Sequence, residues 1–100
     1  MFRSGVAALT GDGEFDLDGG GSDISRWDGD TLVRMNGAWL EPTSSNPSKL
    51  SCQAEQGWEN RVGHLQAGQW LCVRTSENRY GRLNITATGE TLKLVYTVWN

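Results

Sequence analysis

Apolar and polar residues alternate through the last third of the chain, and this pattern predicts β-strands. A period of two places successive side chains on opposite faces of a strand, so that one face can be buried. Strands are predicted at 69–75, 79–88 and 91–99, joined by short turns, which together make an antiparallel meander. The inward-facing residues predicted for the last two strands are Leu83, Ile85, Ala87, Leu92, Leu94, Tyr96 and Val98.

Four shorter strands are predicted in the first half of the chain. Strict alternation in the first of them places Phe15 and Leu17 on one face and three acidic side chains on the solvent face. Residues 1–11 show no clear period, so no element is predicted there. The four predicted strands span residues 14–18, 23–27, 31–35 and 38–40.

Local turn and capping signals divide these segments. Asn36-Gly37 lies between two apolar runs and predicts a hairpin, because both residues accept a positive φ. Residues 41–45 have the composition of a polar loop. Asn46 as the N-cap and Pro47 as the first helical residue predict one short helix at about 47–56.

The elements taken together define the fold class. About seven short strands and one short helix predict a mainly β protein, either an antiparallel β-sandwich or a partly open barrel. A chain of 100 residues has the length of a single domain, and we expect one domain over residues 1–100. No apolar run is long enough for insertion into a membrane.

Acidic residues are concentrated near the start of the chain. Seven lie between positions 12 and 30, against one base, Arg26, and the formal net charge of the chain is −3. This charge gives no global electrostatic support for a nucleic-acid partner. Seven of the nine basic residues are arginine, which favours bidentate pairing, so we expect some internal Arg–Asp pairs.

Asp16, Asp18 and Asp23 bracket the glycine-rich segment 19–22. Hard cations such as Ca²⁺ take several oxygen ligands from flexible loops, and these three carboxylates are candidate calcium ligands. Their spacing matches neither the helix-loop-helix calcium pattern nor the glycine-rich solenoid repeat. Two interpretations of this segment therefore remain, a bound calcium ion and a plain turn without a ligand. No other cofactor is expected.

Five tryptophans in 100 residues are a high count. Trp70 and Trp99 lie in predicted strands, and we expect them in the core or at its rim. Trp27 and Trp58 flank polar turns, where an indole is a candidate for exposure. Because tryptophan stacks on sugar rings and anchors protein interfaces, these two residues are the candidate ligand-binding residues.

The two cysteines, Cys52 and Cys72, are either free buried thiols or a disulfide. Closing a loop of about 20 residues would stabilise the fold by roughly 3 kcal/mol, which favours the bond and with it an oxidising compartment. His64 is the only histidine, so a structural zinc site is excluded. We expect His64 at the surface or in a turn, and no pattern of catalytic nucleophile and base is present.

Several short motifs follow one another along the chain: Phe15-Asp16-Leu17-Asp18, Asp23-Ile24, Asn36-Gly37-Ala38, Cys52, Leu71-Cys72-Val73-Arg74-Thr75, Arg79-Tyr80-x-Arg82-Leu83 and Tyr96-x-x-Trp99. This order resembles the small cysteine-containing β-modules in the extracellular regions of actinobacterial Ser/Thr protein kinases and in secreted hydrolases. The resemblance covers about residues 14–99. It implies an extracytoplasmic accessory domain in which Cys52 and Cys72 are bonded. It carries over no activity and no functional residue.

The expected function follows from these features. The first hypothesis is a non-catalytic extracellular or cell-surface binding module that faces a protein or the cell wall. The alternative is a carbohydrate-binding module that uses Trp27 or Trp58 as a stacking platform.

Overall fold

The computed structural model describes residues 2–100, and Met1, which the predicted domain includes, lies outside the described residues. The fold is mainly β, as predicted, with 48% of the residues in strands and 5% in a helix. Two antiparallel sheets form a β-sandwich. The elements are β1 (Arg3–Thr10), β2 (Glu14–Phe15), β3 (Ile24–Asp28), β4 (Thr31–Arg34), β5 (Trp39–Thr43), α1 (Lys49–Gln53), β6 (Arg61–Val62), β7 (Trp70–Arg74), β8 (Tyr80–Ala87) and β9 (Thr91–Val98).

The large sheet has the strand order β1-β9-β8-β7-β5, and the small sheet has the order β2-β3-β4-β6. The predicted meander is confirmed, since β7 pairs with β8 and β8 pairs with β9. Leu83 lies opposite Leu71 on one side and opposite Tyr96 on the other, so the three side chains share the inner face.

The core between the sheets is mainly aliphatic, with Tyr96 inside it and Phe15 packed against it. Ile24, Leu32 and Val62 enter it from the small sheet. Within residues 2–100, no tryptophan belongs to the buried core. The large sheet contributes Ala7, Leu9, Leu40, Leu71, Val73, Leu83, Ile85, Leu92, Leu94, Tyr96 and Val98.

An eight-residue strand, β1, occupies the segment in which no element was predicted. Ala7 and Leu9 are buried, but their neighbours Val6 and Ala8 are apolar and exposed, so the sequence shows no alternation there. The strand is held by its pairing with β9 along its whole length.

The predicted strand at 14–18 is wrong beyond Phe15. The Asp16 carboxylate accepts hydrogen bonds from the N–H groups of Asp18, Gly19 and Gly21, which turns the chain immediately after β2. Asp18 is therefore buried. The prediction that its side chain projects from a solvent face is wrong.

The Asn36-Gly37 turn forms, but the predicted hairpin does not. Both residues have positive φ, 53° at Asn36 and 86° at Gly37. The flanking strands lie in different sheets, because β4 pairs with β3 and β6 while β5 pairs with β7. The turn therefore carries the chain from one layer of the sandwich to the other.

Two boundaries after this turn differ from the prediction. Strand β5 continues through Glu41 to Thr43, where a polar loop was expected, because this segment pairs with β7 as an edge strand of the large sheet. Pro42 is tolerated there since an edge strand has one side without ladder hydrogen bonds. The helix covers only Lys49–Gln53, and its N-cap is Ser48, which forms a capping box with Ser51.

Cys52 and Cys72 form a disulfide, which joins α1 to β7. Leu71 and Val73 face the core, so Cys72 lies on the outer side of the large sheet, and the helix is attached there. Over residues 2–100, no helix has the length and apolar character that crossing a lipid bilayer requires.

We expect the double variant Cys52→Ala/Cys72→Ala to lose about 2–4 kcal/mol of unfolding free energy, because its unfolded chain is no longer constrained. Urea denaturation of the oxidised proteins measures the difference. Dithiothreitol is the matched control, since it should destabilise the wild type and leave the double variant unchanged. Equal stability of the oxidised wild type and the variant would contradict the stabilising role of the bond.

Candidate functional site

The outer face of the small sheet carries an exposed tryptophan. Glu14, Ser25, Val33 and Arg61 are successive cross-strand neighbours, so their side chains share the face that points away from the core. The pairing of β3 with β4 is irregular between Arg26 and Asp28, and Trp27 lies at this irregularity. We call the surface formed by Glu14, Ser25, Trp27, Val33 and Arg61 the Trp27 face.

Trp27 is 61% exposed, which is unusual for so large an apolar side chain. The Arg61 guanidinium lies over its ring, with 5.2 Å between the guanidinium carbon and the ring centroid. A cation–π contact at an exposed position contributes about 0.5–1 kcal/mol, and this one leaves most of the indole accessible.

An open groove of about 540 Å³ lies beside Trp27, and its other walls are Val33, Trp58, Glu59, Asn60 and Arg61. The fold thus brings both sequence-predicted tryptophans, Trp27 and Trp58, to one groove. Trp58 is half-buried, and its ring lies 6.2 Å from that of Tyr80. Trp27 is the accessible member of the pair, and Trp58 forms a wall.

Two neighbouring hollows, each of about 390 Å³, also include Trp27. One is bordered by Asp28, Asp30 and His64, and the other by acidic residues that include Glu14. His64 is exposed with a φ of 56°, in agreement with the prediction of a surface or turn position. Trp27 is therefore an apolar centre surrounded by hydrogen-bonding groups.

Sequence reasoning missed Val33 and Arg61 as members of this surface. Val33 belongs to an ordinary alternating strand, and Arg61 lies in the segment 58–67, which had no clear pattern. Their place on the Trp27 face depends on the pairing of β4 with β3 and β6, which no local signal encodes.

The three candidate calcium ligands also come together. One carboxylate oxygen from each of Asp16, Asp18 and Asp23 lies within 4.8 Å of the others, and we call these three residues the acidic cluster. Asp18 and Asp23 are buried, while Asp16 is half-buried. The cluster stands beside the 19–22 turn, as the spacing predicted.

Asp23 links the two sheets. Its carboxylate accepts a hydrogen bond from the Leu17 N–H at 2.8 Å, and two from Ser76, from the backbone N–H at 2.7 Å and the hydroxyl at 2.9 Å. Burial raises the pKa of Asp23, the Asp18 charge adds to that rise, and the three donors oppose it. Ser76 was not predicted, since it lies 53 residues away in the chain.

The pKa of Asp16 is shifted in the opposite direction, below its usual value. Burial alone would raise its pKa, but the N–H groups of Gly21, Gly19 and Asp18 together bring the pKa of this carboxyl below its usual value. The nearby Arg3 charge acts in the same direction as these hydrogen bonds. Asp16 is therefore an ionised anchor of the turn.

Arg79 provides an ion pair to the cluster, with 3.4 Å between its Nη1 atom and Asp18 Oδ2. This is the one Arg–Asp pair within 4.0 Å in the described part of the chain, so the expected internal pairing holds for a single arginine. Arginines 34, 61 and 82 lie over tryptophan rings instead.

No protein-family model, no curated protein and no solved structure matches this chain.

We expect Asp23→Asn to destabilise the protein by about 1–3 kcal/mol, because one carboxylate oxygen becomes an amide N–H₂ that faces a buried N–H donor. Urea denaturation in EDTA measures the effect without any contribution from a cation. Glu90→Gln is the control, since it removes the same charge at an exposed position. A loss no larger than that of the control would contradict the linking role of Asp23.

Proposed function

We propose that this domain is a non-catalytic, extracytoplasmic binding module that contacts a protein or the cell wall through the Trp27 face. The exposed Trp27 ring carries the proposal. Tryptophan and arginine are enriched among the residues that contribute most to binding energy, and here the Arg61 guanidinium lies over the Trp27 ring.

The disulfide supports both parts of this proposal. Structural disulfides persist in oxidising compartments, so the Cys52–Cys72 bond is compatible with an extracellular location. The bond also removes both thiols as nucleophiles. The resemblance to accessory modules of surface and secreted proteins points to the same compartment.

The groove shared by Trp27 and Trp58 favours a second candidate, a carbohydrate-binding module. An indole offers a flat apolar face to a sugar ring, and Glu59 and Asn60 offer polar atoms on the adjoining wall. Because the groove is open along its length, it suits a chain of sugars better than a small molecule that a binding pocket would have to enclose.

Sedimentation with purified insoluble peptidoglycan tests the wall-binding form of the proposal. We expect the wild type to sediment and Trp27→Ala to lose affinity by at least about tenfold, the loss expected from truncating a residue that dominates binding. Trp70→Phe is the control, because Trp70 lies in the other sheet. Equal binding by wild type and Trp27→Ala would contradict a role for the Trp27 face.

A photo-reactive amino acid at position 14, which is exposed on the Trp27 face and leaves Trp27 in place, tests the protein-binding form on the surface of the producing cell. We expect a cross-linked product that position 50, which is also exposed, does not form. Failure of the wild type to sediment together with identical cross-linking from both positions would overturn the proposed function.

Tryptophan fluorescence with a panel of soluble oligosaccharides tests the carbohydrate-binding candidate. We expect an emission shift that Trp27→Ala and Trp58→Ala weaken and that Trp70→Phe retains, because only the first two residues line the groove. The absence of any shift in the wild type would exclude this candidate for the sugars tested.

A further inference from the structure

The acidic cluster carries more negative charge than the neighbouring arginines can balance. Its three carboxylates have two guanidinium groups nearby, Arg79 beside Asp18 and Arg3 beside Asp16. The Glu77 side chain packs against Gly20 in the adjoining turn. Like charges at this spacing repel one another, and a further positive group would offset that repulsion.

Asp18 supplies an independent observation. Its side chain is completely buried, and among residues 2–100 its Oδ1 atom has no hydrogen-bond partner, while Oδ2 faces Arg79. A buried carboxylate oxygen without a partner is energetically costly and uncommon in folded proteins. This carboxylate lies within 4.8 Å of those of Asp16 and Asp23, so the orphaned group belongs to the cluster itself.

The other two carboxylates are held in place before any ligand arrives. Asp16 is fixed by three backbone N–H groups, and Asp23 by Leu17 and Ser76. A carboxylate has about four lone-pair sites, so these bonds leave each group able to accept a further partner. The donors therefore orient the carboxylates without exhausting them.

The spacing of the cluster suits calcium. Oxygen atoms up to 4.8 Å apart can share one ion whose bonds are about 2.3–2.6 Å long. Mg²⁺ has shorter bonds of about 2.0–2.1 Å and a stricter octahedral geometry. The turn beside the cluster contains Gly19 and Gly21, both with positive φ, and a glycine-rich turn of this kind accommodates the irregular coordination of Ca²⁺.

We propose that Asp16, Asp18 and Asp23 form a site for a divalent cation of the calcium class. The ion supplies the missing partner of Asp18 and balances the charge of the cluster. It would strengthen the link between the β2–β3 loop and the β7–β8 turn that Asp23 makes. The site is separate from the Trp27 face, so the two proposals stand or fall independently.

Thermal unfolding and isothermal titration calorimetry with CaCl₂ test the site in the whole domain. We expect Ca²⁺ to raise the Tm of EDTA-treated wild type by several degrees, because a ligand of the folded state stabilises it. Mg²⁺ at the same concentration should raise the Tm less. We expect Asp18→Asn to weaken Ca²⁺ binding by at least about tenfold, since affinity follows the charge count of the ligands.

Glu90→Gln is the matched control, because it removes one negative charge at an exposed position in a different turn and should keep the full Ca²⁺ response. Asp16→Asn provides a second variant if Asp18→Asn does not fold. It keeps an acceptor oxygen for the turn, and we expect it to lose Ca²⁺ affinity as well. A wild type with no binding heat and no Tm change in Ca²⁺ would overturn the site. A response that both cluster variants retain would overturn it equally.

Discussion

The buried carboxylate of Asp23 determines how one end of the sandwich is built. It accepts hydrogen bonds from Leu17, in the loop that leaves the small sheet, and from Ser76, in a turn of the large sheet. Buried N–H groups need acceptors, and a single carboxylate serves both segments. The positions of Asp16, Asp18 and Arg79 follow, because all three belong to the segments that Asp23 holds together.

Arg26 holds the other end through its guanidinium, which donates to the carbonyl oxygens of Gly11, in the β1–β2 turn, and of Gly89, in the β8–β9 turn. Between these two polar links the interior is filled mainly by aliphatic side chains, together with Tyr96. A domain of this size has a thin core, and its tryptophans lie on the outer surfaces and in the loops. Trp27 is thereby left accessible on the small sheet.

Prediction succeeded where the signal was local. The buried faces of β8 and β9 followed from alternation, because Leu83, Leu94 and Tyr96 are each flanked by residues that remain outside the core. Strand β1 was not predicted, because the exposed Val6 and Ala8 occupy positions where an alternating pattern would have polar residues. The Asn36-Gly37 conformation was predicted correctly, but the strands that it joins pair with others.

Local signals along the chain account for the strand and turn propensities, the spacing of the three aspartates and the polar surroundings of Trp27 and Trp58. The burial of Asp18, with one oxygen lacking a partner among residues 2–100, and the stacking of Arg61 on Trp27 arise from the tertiary fold. Propensity and spacing act over a few residues, whereas burial and stacking depend on which strands pair and in which register.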